Sequence, residues 1–154
     1  MTKSEFAARL QHACASVIAA EQELTEIDSR FGDADHGLTM SKIAKAISAA
    51  AGESEGGIQA MLDDAAMAVM VLNGGSSVPL WNTWLDGLQE EAPEGEEIDV
   101  PGIQTIFAKA LEELNEMSGA QVGDKTMMDA LIPASEAIAA YEGSDEDALF
   151  AAAA

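Results

Sequence analysis

Apolar residues recur at helical spacing along nearly the whole chain, and each run stops at a short polar or glycine-rich break. Between Ser4 and Glu26, the residues Phe6, Leu10, Ala13, Val17 and Leu24 form one stripe of a helix. An Asp- and Gly-rich break covers Asp28–Gly37. A second helical pattern starts at Leu38 and carries Met40, Ile43, Ala44, Ile47 and Ala51; Gly52–Gly57 ends it. A third sets Ile58, Met61, Leu62, Ala65 and Val69 on one face as far as Leu72. After the Asn73–Pro79 interruption, Leu80, Trp81, Trp84, Leu85 and Leu88 resume the period. Gln89–Gly102 is acidic, holds Pro93, Gly95 and Pro101, and reads as a solvated connection. Ile103, Ile106, Phe107, Ala110, Leu111, Leu114 and Met117 form the cleanest amphipathic pattern, broken by Ser118–Asp124. Another helix is predicted over Lys125–Tyr141, with Pro133 kinking it or marking its true start. Ser144 is the expected N-cap of a last helix, with Asp147 three residues on. No stretch alternates as a strand does. The predicted fold is therefore all-α: an up-and-down antiparallel helical bundle or barrel with short connections.

Composition narrows the function. The chain has 154 residues, of which 48% are hydrophobic, enough for one core and one domain. Lys and Arg number 7 against 28 Asp and Glu, a formal net charge of −21. Such a charge repels nucleic acid and anionic membrane, so neither is an expected partner. The single Cys14 cannot form an internal disulfide, Met1–Glu5 lacks the layout of a signal peptide, and no apolar run spans a membrane. A soluble, cytoplasmic protein is expected. The last helix breaks off after two turns, so residues 1–154 are read as a single domain truncated at its C-terminus.

One break differs from the rest. Asp28, Asp33, Asp35 and His36 fall within nine positions of one another. Unit charges about 4 Å apart repel by about 4 kcal/mol at an effective dielectric near 20. Three converging aspartates are therefore unfavourable unless they spread into water or bind cations, and all-carboxylate ligation suits Mg²⁺ or Ca²⁺ rather than Zn²⁺. Ordinary solvated turn chemistry is the competing explanation. An EF-hand is excluded, because counting from Asp33 the sixth position is Leu38 and the twelfth Ala44. No Walker loop is present.

Two further breaks gain meaning from topology. Gly74-Gly75-Ser76-Ser77 could seat an anion at a helix start, and Gly123-Asp124-Lys125-Thr126-Met127 also precedes a helix. In an alternating bundle, both lie at the same end as the aspartate loop. A rim so equipped suits a nucleotide di- or triphosphate held through metal, with backbone dipoles and Lys125 offsetting charge.

Three segments together resemble the nucleotide-binding L subunit of dihydroxyacetone kinase. They are Asp28-x4-Asp33-Ala34-Asp35-His36-Gly37-x2-Met40, Gly74-Gly75-Ser76-Ser77-x-Pro79-Leu80 and Gly123-Asp124-Lys125-Thr126-Met127-x-Asp129. The resemblance covers nearly the whole chain, with all three motifs in family order. It implies an eight-helix antiparallel barrel, of which this chain is expected to lack the last helices. It further implies that Asp28, Asp33 and Asp35 hold two Mg²⁺ ions bridging the phosphates of ADP or ATP. His36, Gly37, Thr39, Ser76 and Ser77 would contact the phosphates, and Gly119 and Met127 the adenine. No side chain is assigned as a catalytic acid, base or nucleophile; positioning and metal electrostatics would do the chemistry. The implied partners are a dihydroxyacetone-binding K subunit, and a phosphocarrier M subunit or ATP as donor. A transcription regulator and a second copy of the chain are further partners compatible with it.

Three departures stand out. Thr39 replaces the usual Asn, Val78 stands where Gly is usual, and the family's closing Gly-Arg-Ala and Asp-Pro-Gly region is absent. Val78 is expected to shift the serine loop, since a β-branched residue resists positive φ. If the chain ended at Ala154, weak nucleotide binding and little turnover would follow. The alternatives are a kinase domain for another short ketose such as erythrulose, a fatty acid kinase, and a non-catalytic metal–nucleotide-binding regulatory domain. His36, where fatty acid kinases typically have Thr, argues against the second. His12 is expected at the surface, Trp81 and Trp84 in packing, the methionines in core gaps, and Cys14 buried and inert.

Overall fold

The computed structural model describes residues Met1–Ala154. Its helices are α1 (Lys3–Ala19), α2 (Glu21–Asp28), α3 (His36–Glu53), α4 (Ile58–Met70), α5 (Ser77–Glu90), α6 (Val100–Ser118), α7 (Met128–Ala140) and α8 (Glu146–Ala153). There is no strand, only an isolated bridge between Thr2 and Glu97.

Local chemistry accounts for most boundaries. Thr2 caps α1 in a reciprocal box with Glu5. Asp99 caps α6, accepting from the Gly102 amide at 2.9 Å, and Pro101 sits in the first turn. Gly119 closes α6 in the left-handed conformation, φ +64°.

The predicted first helix is divided. At Ala20 the backbone leaves helical geometry, its amide shared between the carbonyls of Ser16 and Val17, both at 3.2 Å. Neither Gly nor Pro marks the spot. Along α1 the inward stripe runs Phe6, Leu10, Cys14, with Ala13 exposed. Stepping by four keeps these side chains on one face. Helix α5 begins at Ser77, so Val78 and Pro79 belong to its first turn and Val78 is buried. Helix α7 begins at Met128 and runs through Pro133. The N-cap of α8 is Asp145 rather than Ser144; its carboxylate accepts from the Ala148 amide at 2.9 Å. The acidic α5–α6 connection is not simply solvated. Ala92 and Ile98 are buried, and the Gly95 carbonyl accepts from the Ile58 amide at 2.9 Å.

Each helix packs on its chain neighbour: α1 and α2 on α3, then α3 on α4, and so on to α8. Helix α8 returns to α1 through the Arg9–Asp147 ion pair and the Arg9 guanidinium, 5.4 Å from the Phe150 ring centre. The ring of helices encloses one core, whose fully buried members include Ile43, Ile58, Met61, Leu62, Ile103, Ile106, Leu114 and Ile138. Trp84 is buried there, edge-on to Phe107 at 5.7 Å. Cys14 is buried and His12 exposed, as expected.

Short connections between antiparallel neighbours sort the loops into two ends. The α2–α3, α4–α5 and α6–α7 loops share one end. The other end carries the α3–α4, α5–α6 and α7–α8 connections, where Lys3 Nζ donates to the Ser54 carbonyl at 2.7 Å and the Lys3 amide to the Glu96 carbonyl at 2.7 Å. No helix is long and apolar enough to cross a membrane.

Candidate functional site

The aspartate loop is built around Asp28, the last residue of α2. Its Oδ2 accepts from the Asp35 amide at 3.1 Å and the His36 amide at 3.3 Å, satisfying donors at the start of α3. The Asp28 carbonyl accepts from Gly32 at 2.6 Å. A Cβ on Gly32 would fall 2.1 Å from Asp28 Oδ1, so glycine lets the loop fold onto this carboxylate. Ala34 completes the turn at φ +63°, an uncommon conformation for a residue with a Cβ.

This folding gathers Asp28, Asp33 and Asp35, each with a carboxylate oxygen within 4.8 Å of the others. Asp33 and Asp35 are exposed and Asp28 half-buried. The hydrogen bond to Asp33, followed by the like charges of Asp33 and Asp28, pushes the Asp35 carboxyl above the usual carboxylate range. The sign is that of a site short of positive charge: ionising Asp35 costs the folded loop, and a bound proton or cation relieves it. Three hard oxygen donors open to solvent fit Mg²⁺ or Ca²⁺, which also keep water ligands.

The serine loop stands directly beside this cluster. His36 Nδ1 and Ser77 Oγ are 3.5 Å apart, joining the first turns of α3 and α5. Thr39 is buried beneath the loop: a Cβ on Gly74 would lie 3.0 Å from its Cγ2. Ser76 is exposed at the N-cap of α5, a helix with no side-chain cap and no acid in its first turn. The Val78 amide is already bonded to the Gly75 carbonyl at 3.2 Å and Pro79 has no N–H, so the Ser76 and Ser77 amides and the two hydroxyls are the donors left for an anion. Val78 is not called on to take up positive φ. It has ordinary helical φ, and its side chain turns inward beside Gly74.

Gly37 has a different position from its neighbours. It is buried against α2, where a Cβ would stand 2.1 Å from the Glu21 carbonyl and 2.2 Å from Thr25 Oγ1. Its smallness brings α2 and α3 together and so sets the aspartate loop.

The third loop, between α6 and α7, carries Gly119 in open space and Met127 half-buried against the core. No hydrogen bond joins it to the other two loops. Asp129, which the sequence reading left without a role, organises it. The carboxylate accepts from the Gly123 amide at 2.7 Å and the Thr126 amide at 2.9 Å. These two bonds, in that order, hold the Asp129 carboxyl below the usual range. The available signal was the Thr126-x-x-Asp129 spacing of a capping box.

A second feature escaped the sequence reading. The large apolar residues that are exposed are Ile27, Phe31, Leu38, Met67, Met70, Val71, Met117 and Val122. All lie in the three loops or the adjoining helix turns of this one end, with Phe31 97% exposed. An apolar collar around a charged centre marks a contact surface. A surface concavity lies elsewhere, between α6 and α7, beside Lys109, Asn115 and Glu116.

The chain is similar to known proteins in sequence and in fold. The chain is 35% identical over 93% of its length to the D-erythrulose kinase of Mycolicibacterium smegmatis, spanning 25% of that protein. It is 29% identical over 81% of its length to the ADP-binding subunit DhaL of the PEP-dependent dihydroxyacetone kinase of Escherichia coli, spanning 60% of it. Among solved structures it matches the dihydroxyacetone kinase from C. freundii in complex with AMP-PNP and Mg²⁺. There the TM-score is 0.73 and the identity 25%, over 95% of this chain and 27% of that one. The chain thus spans between a quarter and about three fifths of these relatives. The DAK2 domain family model matches residues 30–154, taking in two of the three aspartates, the serine loop and the Asp129 loop, and the chain belongs to that family.

Proposed function

We propose that this chain is the nucleotide-binding, phosphoryl-transferring part of a dihydroxyacetone-type kinase. The observation that carries the reading is the meeting of three carboxylates, within 4.8 Å of one another, with the serine turn at the start of α5. The relatives' names support it, as do the AMP-PNP and Mg²⁺ bound by the C. freundii enzyme.

Asp28, Asp33 and Asp35 would hold Mg²⁺, two ions by family resemblance. Bound there, Mg²⁺ supplies the charge neutralisation that a polyphosphate needs in a chain of net charge −21. The hydroxyls and backbone amides of Ser76 and Ser77 orient phosphate oxygens, while His36 lends a ring nitrogen beside them. Thr39, buried below Gly74, supports the serine turn from beneath rather than reaching out. Gly119 and Met127 flank the base. The chain acts by binding and alignment, the dominant contribution in phosphoryl transfer. The acceptor is a short ketose presented by a K-type partner, and the donor is ATP or a phosphocarrier protein. Dihydroxyacetone is the acceptor for which the DhaL relatives are named, and erythrulose that of the kinases 35% and 36% identical to this chain. The apolar collar gives such a partner a surface to dock on.

Calorimetric titration of ADP, with and without Mg²⁺, on wild type and Asp33→Asn tests the reading. Tight binding should require both Mg²⁺ and Asp33. Equal affinity under all four conditions refutes it.

A further inference from the structure

Beyond the Gly119 cap, the α6–α7 loop contains two more left-handed residues, Gly123 at φ +103° and Lys125 at φ +60°. Glycine adopts this conformation freely, but lysine does not, so something must hold Lys125 there. The Asp129 carboxylate spans the segment from Gly123 to Thr126, with one oxygen on each amide, at 2.7 and 2.9 Å. An ordinary capping box explains only the bond to Thr126, completed by Thr126 Oγ1 accepting from the Met128 amide at 3.2 Å. The bond to Gly123 reaches six residues back and closes the loop on itself. Lys125 has no acidic partner within 4.0 Å, unlike Arg9, Lys45 and Lys109. Its ammonium is therefore uncommitted, at the end of the molecule where the carboxylates gather.

We infer that Asp129 is a positioning residue of the nucleotide site: by clamping the Gly123 and Thr126 amides it fixes the loop that presents Lys125 and Met127. It touches neither metal nor nucleotide and acts through the backbone. The inference rests on the nucleotide reading above. It separates from that reading because the clamp governs the third loop alone and leaves the aspartate and serine loops untouched.

The test compares wild type, Asp129→Asn and Asp129→Glu by ADP calorimetry in saturating Mg²⁺, Mg²⁺ titration without nucleotide, and amide resonances. Asp129→Asn should bind ADP about tenfold more weakly, the effect of weakening two charge-assisted bonds, with Mg²⁺ affinity unchanged and a lower melting temperature, since a carboxyl held below its usual range stabilises the folded state. In the free wild-type protein, the Gly123 and Thr126 amide resonances should shift together as acid protonates Asp129. That coupling should be absent in Asp129→Asn. Asp129→Glu, which keeps the charge, should recover part of the affinity. A purely structural residue would lower the melting temperature too but leave the ADP affinity of the folded protein unchanged, overturning the inference. Wild type that binds Mg²⁺·ADP with an affinity matched by Asp129→Asn overturns it while the nucleotide reading stands. Wild type that binds no ADP overturns both, even if the amides still report the clamp.

Discussion

Two substitutions separate side chains that shape the site from side chains that contact a ligand. Gly37 stands in the motif that resembles a phosphate loop, yet its Cα faces the Glu21 carbonyl at the α2–α3 contact. Gly37→Ala should therefore cost about 1–3 kcal/mol of stability, the usual range for overpacking. Gly75→Ala, whose new Cβ meets nothing within 4 Å, should cost much less. Urea unfolding of the pair decides: coincident midpoints would contradict the close approach. Val78 makes the complementary case. Because it is buried in the first turn of α5, Val78→Gly loses packing and helix propensity together, about 2–3 kcal/mol, with no gain in nucleotide affinity. Denaturation alongside ADP titration would show it. At this scale the sequence revealed which residue types congregate but not which way each one faces. The three aspartates were legible because their mutual repulsion demands an explanation wherever they sit. Gly37 was not, since a glycine that admits a neighbouring helix and one that admits a phosphate look alike in one dimension.

Helix ends divide in the same way into those written locally and those imposed by packing. Asp99, Pro101 and Gly119 set the limits of α6, which starts at Val100, inside the stretch that reads as a connection in the sequence, and stops at Ser118. Gly119 holds φ +64° with its amide on the Asn115 carbonyl at 3.0 Å. Gly119→Ala should cost about 1 kcal/mol and lower the melting temperature by about 2–4 °C in a domain of this size. Gly119→Asn should cost less, since Asn tolerates that conformation. Equal losses would mean that the cap contributes nothing. The division at Ala20 has no such signature. Helix α2 has to leave the line of α1 to meet Gly37, and Thr25 Oγ1 bonds back to the Glu21 carbonyl at 2.8 Å, a habit that bends helices. That contact joins residues distant in sequence, so a periodicity that continued to Glu26 could not reveal it. Pro133 errs in the opposite direction. It removes one donor from α7, yet packing on α6 and α8 carries the helix from Met128 to Ala140.

For the whole molecule, charge and topology act together. Alternating helices bring three loops to one end, and there three of the chain's 28 acidic residues place carboxylate oxygens within 4.8 Å of one another, in a molecule of net charge −21. A screening salt and a coordinating ion should then stabilise the protein in distinguishable ways. Sodium chloride weakens repulsion between exposed acids over a Debye length of about 10 Å at 0.1 M, and so raises the melting temperature of wild type and Asp33→Asn alike. Magnesium at constant ionic strength adds a term only where it binds. At a hundredfold excess over its dissociation constant this amounts to about 2.7 kcal/mol, enough to move the transition by several degrees. Wild type should show both increments and Asp33→Asn only the first. If Mg²⁺ and Na⁺ proved interchangeable at equal ionic strength, the aspartates would be a solvated turn and nothing more. A magnesium-specific increment confined to wild type would instead mean that the fold is built to be completed by a cation, its acidic end held under strain until one arrives.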